Sequence, residues 1–266
     1  MDLDNRMKLY EQVESARRFL PLLPVVARLD GKCFHKFTKN MKEPFDENLT
    51  QVMIETTKYL VEETNAIIGY TQSDEITLIY CSDNSESQIF FDGRIFKMVS
   101  VIASLCTAKF SIEIYNKFGK AFWERVPGFD CRAWTVPNKM EAVNNLVWRE
   151  LDASKNSIFT AARCHFSHNE LKDKNSSQLH EMLFSKGVNW NDYPNHFKRG
   201  TYVQSRIVDK FLTDKELQNI PEKYRPTTNI VRNRNEIQIL NLPPISKIEN
   251  KVEVVFEKQD PIIKEV

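Results

Sequence analysis

One stretch, from Ala66 to Tyr80, limits the possible folds of this chain more than any other. It contains two apolar, strand-like runs separated by the polar segment Thr71-Gln-Ser-Asp-Glu75. Apolar runs around a short polar turn predict a β-hairpin. Asp74 and Glu75 are adjacent, and adjacent strand residues point to opposite faces of a sheet. A carboxylate that shares a site with Asp74 must therefore come from another strand.

The run from Pro24 to Gly31 is the natural source of that second carboxylate. It is apolar, ends in Asp30, and is followed by a glycine that allows a sharp turn. If the two strands are neighbours, Asp30 and Asp74 converge. Carboxylates at strand ends, without histidine or cysteine at ligand spacing, suit an oxygen-preferring cation such as Mg²⁺. The sequence therefore predicts a magnesium site that substrate phosphates complete.

The periodicity of the first half predicts the order β-α-β-β-α-β. The predicted elements are a helix over 6–19, a strand over 24–30, a helix over 47–65 with Asp46 as its N-cap, the hairpin over 66–81, a helix from Arg94 to about Tyr115, and a strand from Phe129 to Val136. This order is typical of the split βαβ, ferredoxin-like α+β fold. Its antiparallel sheet carries both helices on one face and leaves the other face for a ligand. The strand end at Asp30 and the hairpin turn at Asp74 are then on the same side of the sheet.

The second half is predicted to be an extension of this first domain, with the boundary at 137/138. Asn138 is placed as the cap of a helix to about Cys164, a second helix is expected over 169–186, and a strand follows the loop at Lys198. The C-terminal segment 251–257 has partial strand alternation. Residues 198–234 hold nine Lys/Arg against four Asp/Glu. This basic region suits contact with RNA phosphates, although a solvated surface explains it nearly as well.

Composition excludes several classes of protein. A net charge of +1 over 266 residues excludes a strongly basic nucleic-acid binder by composition alone, although a local basic patch remains possible. The seven glycines do not form a G-x-G-x-x-G or a P-loop motif, which argues against a dinucleotide fold. Phosphates would instead be held by metal and basic side chains.

Cysteine usage and the start of the chain predict a cytoplasmic location. The five cysteines are widely spaced, odd in number and without a C-x-x-C pair, so we expect reduced thiols and no disulfides. Cys164-His-Phe-Ser-His168 lacks the second ligand pair that a zinc site needs. Acids near Met1 are unlike a transit peptide, and no apolar run approaches the roughly 18 residues of a membrane span. No membrane partner is expected.

Four segments together resemble the tRNA-His guanylyltransferase superfamily. They are Val26-Ala-Arg-Leu-Asp-Gly-Lys-Cys-Phe-His-Lys-Phe37, Pro44-Phe-Asp46, Gly69-Tyr-Thr-Gln-Ser-Asp-Glu75 and Pro127-Gly-Phe-Asp130. The resemblance covers about residues 8–205. It implies a polymerase-like palm, the fold shared with nucleotidyl cyclases, and an enzyme that adds nucleotides to the 5′ end of tRNA in the 3′-to-5′ direction.

One segment separates two branches of that superfamily. The eukaryotic enzymes that add a guanylate to tRNA-His carry a His-Ile-Asn-Asn-Leu-Tyr-Asn-like motif after Trp-Arg. Here Trp148-Arg149 is followed by Asp152-Ala-Ser-Lys-Asn-Ser-Ile158, and Phe166-Ser-His168 and Lys198-Arg-Gly-Thr201 also match the other branch. The resemblance therefore favours the guanylyltransferase-like enzymes, which repair 5′-truncated tRNAs by templated addition after ATP-dependent 5′-adenylylation.

The resemblance also assigns roles to residues of this chain. Asp30 and Asp74, with the Gly31 carbonyl, match the ligands of two Mg²⁺ ions, and Glu75 matches a further essential acid. ATP, GTP and other nucleoside triphosphates are the implied substrates, tRNA the partner and a homotetramer the assembly. The implied nucleotide contacts are Asp30, Gly31, Lys32, Cys33, Phe34, His35, Asp46, Ser73, Asp74, Arg94 and Lys97, and the implied tRNA contacts are Asn156, Lys198 and Arg199.

This chain departs from the family pattern at two positions. Glu43 stands where the family often has lysine before Pro-x-Asp, so the triphosphate contact at that position is open and Lys42 is its candidate substitute. Cys131 replaces a common glycine. Asp46 is as well explained as a helix N-cap as by a substrate contact.

Three other functions stay open at this point. The chain could be a true tRNA-His guanylyltransferase that adds one G at position −1, although the Asn-Asn motif is absent. It could be a nucleotidyl cyclase, although a Gly-Gly-Asp-Glu-type tip is absent. It could also be an RNA-binding protein without catalysis, although Asp30, Asp74 and Glu75 are all present.

Overall fold

The computed structural model describes residues 1–84, 86–226 and 231–264, and the side chains of 210 and 231–234 are not described. Part of the predicted basic region at 198–234 therefore lies outside the described residues. The described chain forms one antiparallel sheet of six strands in the order β4-β1-β3-β2-β5-β6. The strands are β1 (Val25–Gly31), β2 (Ile68–Gln72), β3 (Glu75–Tyr80), β4 (Phe129–Thr135), β5 (Thr201–Phe211) and β6 (Val231–Leu240).

Eleven helices are present in the described ranges. They are α1 (Leu3–Ser15), α2 (Phe34–Phe37), α3 (Glu47–Thr64), α4 (Ile95–Phe118), α5 (Lys120–Trp123), α6 (Lys139–Arg163), α7 (His168–Leu171), α8 (Ser176–Ser185), α9 (Asn195–Arg199), α10 (Asp214–Asn219) and α11 (Lys251–Phe256). Two predicted caps are confirmed. The Asp46 carboxylate accepts hydrogen bonds from the backbone of the first turn of α3, and the Asn138 amide oxygen does the same for α6.

One face of the sheet carries α3 and α4, as the β-α-β-β-α-β order predicts. Alternate residues of β1 and β3 point into this layer, and α4 inserts one residue every turn. Burying these apolar surfaces is the main stabilising contribution of the fold. The buried residues of this first core include Val25, Ala27, Leu29, Ile76, Leu78, Met98, Ile102, Cys106, Phe110 and Ile114. The α+β, ferredoxin-like arrangement predicted from the sequence is therefore confirmed.

The opposite face is only partly covered. The first half of α6, together with α11, packs over the β2–β3 end and buries Ile68, Tyr70 and Ile79. The second half of α6 holds a third core with α7, α8 and α9. The β1–β4 side of this face keeps polar residues at Arg28, Asp30, Asp130 and Arg132. An open polar surface thus remains where the sequence predicted a ligand-binding face.

The strands of the second half extend the same sheet. β5 pairs with β2, and this pairing needs Gly200 immediately before it. Gly200 has φ +85°, and a Cβ there would lie 2.6 Å from the Tyr70 ring and 2.7 Å from the Thr71 carbonyl oxygen. The division at 137/138 stays a prediction, and the hydrogen-bonded sheet runs across it.

The expectation of strand character at 251–257 was wrong. These residues form α11, in which Val254 and Val255 are both buried in the second core. Adjacent buried residues fit a helix lying on a core, whereas a strand would expose one of the two. Packing against α6 outweighs the strand propensity of valine.

Helix α4 also corrects an expectation. It is 24 residues long, and its best 18-residue window has a mean hydropathy of 1.6. By length and composition it could cross a membrane, whereas the sequence was expected to contain no segment of that kind. Length and composition are weak evidence, because core helices meet the same criterion. Five α4 residues are buried against the sheet, whereas only 22% of that window is buried.

Candidate active site

Asp30 and Asp74 meet at one end of the sheet. Asp30 lies opposite Glu75 of β3 on one side and Asp130 of β4 on the other. The Gly31 backbone N–H donates to the Asp74 carbonyl oxygen over 3.2 Å, which joins the end of β1 to the turn between β2 and β3. The convergence predicted from strand alternation is therefore present.

Gly31 makes this close approach possible. A Cβ at Gly31 would lie 2.3 Å from the Phe34 ring and 3.0 Å from the Asp74 Cβ. The turn itself needs Ser73 in the left-handed region, at φ 54°, as two-residue hairpin turns require. Small residues at these two positions therefore allow the carboxylates to meet.

The electrostatics of Asp74 favour a bound cation. Burial raises the pKa of its carboxyl, and the negative charges of Asp30 and Glu75 raise it further, against lowering by its own backbone N–H and the Ser73 hydroxyl. Two carboxylates held together without a basic partner between them repel each other unless a cation neutralises them. Asp30 has only a long contact to Arg132, 3.7 Å between Nη2 and Oδ2.

The donor set fits Mg²⁺ better than a transition metal. It consists of two carboxylates and the neighbouring Gly31 carbonyl, all hard oxygen donors. Within 1–84, 86–226 and 231–264, no group of three or more His, Cys, Asp or Glu side chains could hold a metal by themselves. A site with so few protein ligands suits a cation that keeps water and substrate phosphates in its shell.

Glu75 has a different environment from the other two acids. Both of its oxygens accept hydrogen bonds from Arg149 of α6, at 2.6 and 2.7 Å, and both side chains are only 14% exposed. Arg149 also donates to Asp152 at 3.1 Å. In this structure Glu75 is therefore a link between the hairpin and α6 rather than a free acid.

Arg149 is a site residue that was not predicted from the sequence. The only signal was its place in the Trp148-Arg149 landmark that precedes the branch-specific segment. A bidentate guanidinium–carboxylate pair has fixed geometry as well as charge. Arg149 thus holds the strand that follows Asp74 against α6.

The loop after β1 divides into exposed and buried residues. Lys32, Cys33 and His35 are exposed beside the carboxylates, with Cys33 in the left-handed region at φ 52°. The Phe34 ring instead packs against Phe110, 5.6 Å between centroids, inside the first core. A nucleotide can therefore meet the side chains of the three exposed residues, whereas Phe34 supports the loop from below.

A cavity of about 260 Å³ opens beside the tip of the hairpin. The chain before α3, the end of β2, the end of α6 and α9 surround it. Its lining includes predicted nucleotide contacts, the apolar Phe45 and Phe197, and cations at its rim. Polar residues of the lining include Thr38, Lys42, Asp46, Ser73, Arg163 and His196.

Arg94 and Lys97 are not brought to this site within the chain. β3 runs away from the hairpin turn, so residues after Tyr80 lie at the opposite end of the sheet, beside Val25. The seven-residue length of β1 separates the two ends by roughly 20 Å. There Arg94 donates to the Phe91 carbonyl and Lys97 lies 4.6 Å from the Phe91 ring. Their prediction as nucleotide contacts has no support from this geometry.

The predicted tRNA contacts differ in accessibility. Asn156 is exposed on α6 and donates to Asp152. The Lys198 ammonium donates to the Asn191 carbonyl at 2.5 Å and lies 5.6 Å from the Trp190 ring. The Arg199 side chain is only 18% exposed and lies 3.9 Å from the Glu150 carboxylate. Asn156 is therefore the most available of the three, and Arg199 has a structural partner.

Glu150 is a buried acid that ties the C-terminal segment to α6. It accepts hydrogen bonds from the Tyr202 hydroxyl at 2.8 Å and from the Ile245 backbone N–H at 3.1 Å. Burial raises the pKa of its carboxyl, against lowering by Tyr202 and Arg199. It is too deep to meet a substrate, so we assign it a role in stability.

We expect Glu150→Ala to destabilise the fold strongly. It leaves two buried donors without acceptors, each costing about 1–3 kcal/mol, and urea denaturation measures the loss. Exposed Glu249→Ala is the control, with an expected change within about 0.5 kcal/mol.

The stability should also depend on pH through Glu150. Because the folded-state pKa of Glu150 is raised, its contribution to the free energy of unfolding is complete below its ordinary pKa of 4.5 and is lost as pH rises through the raised pKa. The stability of the native protein relative to Glu150→Gln should therefore fall over that interval; a rise would contradict the assignment.

Sequence comparison connects this geometry to known proteins. The tRNAHis guanylyltransferase family matches residues 4–137, which is half of the chain. The tRNA(His) guanylyltransferase of Schizosaccharomyces pombe is 31% identical over 77% of this chain and 82% of that protein. The enzyme of the same name from Saccharomyces cerevisiae is 30% identical over 72% of this chain and 86% of its own.

Solved structures give the same result over a greater length. A bacterial tRNA(His) guanylyltransferase-like protein in complex with ATP is 32% identical, with a TM-score of 0.78, and the match covers 96% of this chain and 99% of that one. The yeast Saccharomyces cerevisiae enzyme is 28% identical with a TM-score of 0.65, over 73% of this chain and 91% of that one. By sequence and fold, the chain belongs to the tRNAHis guanylyltransferase family and is a nucleotidyltransferase.

Proposed function

We propose that this enzyme is a Mg²⁺-dependent 3′-to-5′ nucleotidyltransferase that repairs 5′-truncated tRNA by templated addition. The observation that carries the proposal is the convergence of Asp30 and Asp74 next to Ser73, which lines the cavity of about 260 Å³. The likeness to bacterial proteins in complex with ATP and with GTP supports nucleoside triphosphates as substrates.

The repair branch is favoured over addition of one G to tRNA-His. The bacterial guanylyltransferase-like fold matches nearly the whole chain, whereas the yeast enzyme matches 73% of it. The segment from Asp152 to Ile158 also lacks the Asn-Asn motif of the eukaryotic enzymes. The curated relatives named above are nonetheless tRNA(His) guanylyltransferases, so addition at position −1 is kept as the second candidate.

The proposed reaction has two balanced steps. A 5′-phosphate oxygen of the RNA attacks the α-phosphorus of ATP, and the α–β bond breaks with release of pyrophosphate. The 3′-hydroxyl of the incoming nucleotide then attacks the 5′-phosphorus, and AMP leaves. Mg²⁺, held by Asp30, Asp74 and the Gly31 carbonyl, would supply charge neutralisation at both displacements.

The residues around the carboxylates bind and position the nucleotide in this proposal. The Ser73 hydroxyl and the Lys42 ammonium lie at the rim of the cavity and suit phosphate oxygens. Lys32 and His35 are exposed on the adjoining loop, so they can add a charge and a stacking ring. Glu43 is exposed at the same rim, and Lys42 is the proposed substitute for the lysine usual at that position.

The proposal is tested by nucleotide addition to a tRNA that lacks its first nucleotide. The tRNA carries a 5′-³²P-phosphate and is incubated with ATP, all four nucleoside triphosphates and Mg²⁺. We expect one added nucleotide that changes when the opposing template base is changed. A single untemplated G on full-length tRNA-His, without extension of the truncated tRNA, would instead establish the second candidate.

A homotetramer is part of the proposal. In the described part of the chain no residue of α1 is buried. Its exposed residues include the apolar Leu3, Met7, Tyr10 and Val13. The outer side of α4 exposes Phe96, Ile112 and Tyr115. These apolar surfaces suit contact between copies.

Light scattering tests the tetramer and should give four times the 31.2 kDa chain mass. Ile112→Lys should lower the measured mass, whereas Phe184→Ala, at another exposed apolar residue, should not. A monomer in the unaltered protein would overturn this part.

A cytoplasmic location is also proposed. All five cysteines are free in the described structure, which is usual in a reducing compartment. Fractionation of cells that express the tagged full chain would test it, and enrichment with an organelle would overturn it.

A further inference from the structure

Arg28 occupies an unusual position on the open face of the sheet. It precedes Asp30 by two residues on β1, so both side chains point to the same face about 7 Å apart along the strand. Its guanidinium carbon lies 5.9 Å from the centre of the Trp134 ring and 5.6 Å from that of Trp148. Two tryptophans thus hold one arginine close to the metal-binding carboxylates.

Arg28 differs from its neighbouring arginines in having no carboxylate partner. Arg132 pairs with Asp130 at 3.1 Å, and Arg149 is engaged by Glu75 and Asp152. Among the described residues, no hydrogen bond or ion pair involves the Arg28 side chain. A guanidinium has five N–H donors. Those of Arg28 are therefore available to a ligand, and its guanidinium lies beside two aromatic rings.

Trp148 carries the apolar part of this surface. It lies on α6 beside Arg28 and is 52% exposed, whereas Trp134 is half-buried on β4. A second guanidinium, that of Arg149, lies 4.7 Å from its ring centre. An exposed indole beside two arginines offers an aromatic surface together with positive charge. Nucleotides combine an aromatic base with a phosphate, so they match both.

We propose that Trp148 and Arg28 form a stacking platform for an unpaired nucleobase of the RNA end. Trp148 stacks on the base and Arg28 donates to the adjoining phosphate. The inference rests on the proposed function, since it takes the substrate to be an RNA with a truncated 5′ end. In such an RNA the base opposite the missing nucleotide has no base-pairing partner. Arg28 lies two residues from Asp30 on β1, so the platform is close enough to the carboxylates to receive that base.

RNA binding without catalysis tests the platform. A fluorescently labelled, 5′-truncated tRNA is titrated with protein in the absence of nucleoside triphosphates, and anisotropy gives Kd. Because stacking on an aromatic ring contributes to the affinity for an unpaired base, we expect Trp148→Ala to weaken binding roughly 10- to 100-fold. Trp148→Phe keeps a stacking ring and should stay within about threefold. Phe184→Ala, which removes a similarly exposed ring on α8, should leave Kd within about twofold.

An abasic site in the RNA identifies the ligand group. Replacing the unpaired base by an abasic residue should weaken RNA binding to the unaltered protein by the same factor as Trp148→Ala does. In Trp148→Ala itself, the abasic residue should cause no further change in Kd. An equal abasic effect in both proteins would overturn the inference. So would unchanged RNA affinity in Trp148→Ala, equal loss in Trp148→Phe, or loss confined to ATP or GTP binding, measured separately by calorimetry.

These outcomes are distinct from failure of the proposed function. RNA binding that depends on Trp148, without any nucleotide addition, would remove the repair activity and leave the platform. Addition and RNA binding that are both unaffected in Trp148→Ala would remove the platform alone. Arg28→Gln gives an independent check, since it should weaken RNA binding and reduce the dependence of Kd on salt concentration by about one phosphate contact.

Discussion

Asp30→Asn and Asp74→Asn should each lower the rate of nucleotide addition by about a thousandfold or more. Each change keeps the shape of the side chain and removes one negative charge from the proposed cation-binding pair. Metal stabilisation of the displacement is worth several kcal/mol, and about 1.4 kcal/mol corresponds to tenfold in rate. Single-turnover assays at saturating RNA and nucleotide measure the chemical step directly.

Asp130→Asn is the matched control for these two variants. Asp130 lies opposite Asp30 on the same sheet face and is paired with Arg132 at the surface, outside the proposed metal set. We expect its rate to stay within about tenfold of the unaltered protein, since surface pairs contribute little. RNA affinity should also be retained in all three variants. A rate above a tenth of normal in either Asp30→Asn or Asp74→Asn would contradict the assigned site.

Arg149→Ala should destabilise the protein clearly. It leaves Glu75, which is 14% exposed, without its bidentate partner. Removing one member of a fully buried ion pair costs about 3–5 kcal/mol, because an uncompensated charge remains. The Glu75–Arg149 pair is part-buried, so we expect a loss below that range. Chemical denaturation measures this loss, and catalysis should fall with it because Asp74 precedes Glu75 in the same turn.

Two further proteins make the Arg149 prediction specific. Arg132→Ala breaks an exposed pair and should cost no more than about 1 kcal/mol. The double variant Glu75→Gln/Arg149→Met removes both charges and should recover much of the stability that Arg149→Ala loses. The free energy of unfolding of Glu75→Gln alone is measured as well. If its loss simply added to that of Arg149→Ala in the double variant, the two residues would be energetically independent. That result would disprove the link between the hairpin and α6.

The meeting of Asp30 and Asp74 could be predicted because it depends on local rules. Strand alternation set the face of each carboxylate, and the order β-α-β-β-α-β set which strands are neighbours. The partner of Glu75 could not be found in this way. Arg149 is 74 residues further along the chain, and a helix pattern does not state which surface its polar residues meet.

The distance of Arg94 and Lys97 from the carboxylates of the same chain has a simple geometric cause. Both follow the hairpin closely in sequence, but β3 leads the chain away from Asp74 before α4 begins. Similarly, no pattern in the loop after β1 shows that Phe34 turns into the core while His35 stays exposed. Residue type indicates which groups suit a phosphate, and only the path of the chain decides which of them can reach it.

The pairing of β2 with β5 has a consequence for any attempt to shorten this protein. A fragment ending at residue 137 would retain every predicted metal ligand, yet the outer side of β2 would become an open strand edge and Tyr70 would lose Tyr202, now 4.9 Å from it. Unprotected edges with apolar neighbours recruit other chains. Such a fragment should therefore aggregate rather than work as a minimal enzyme, even though the family match spans almost the same residues.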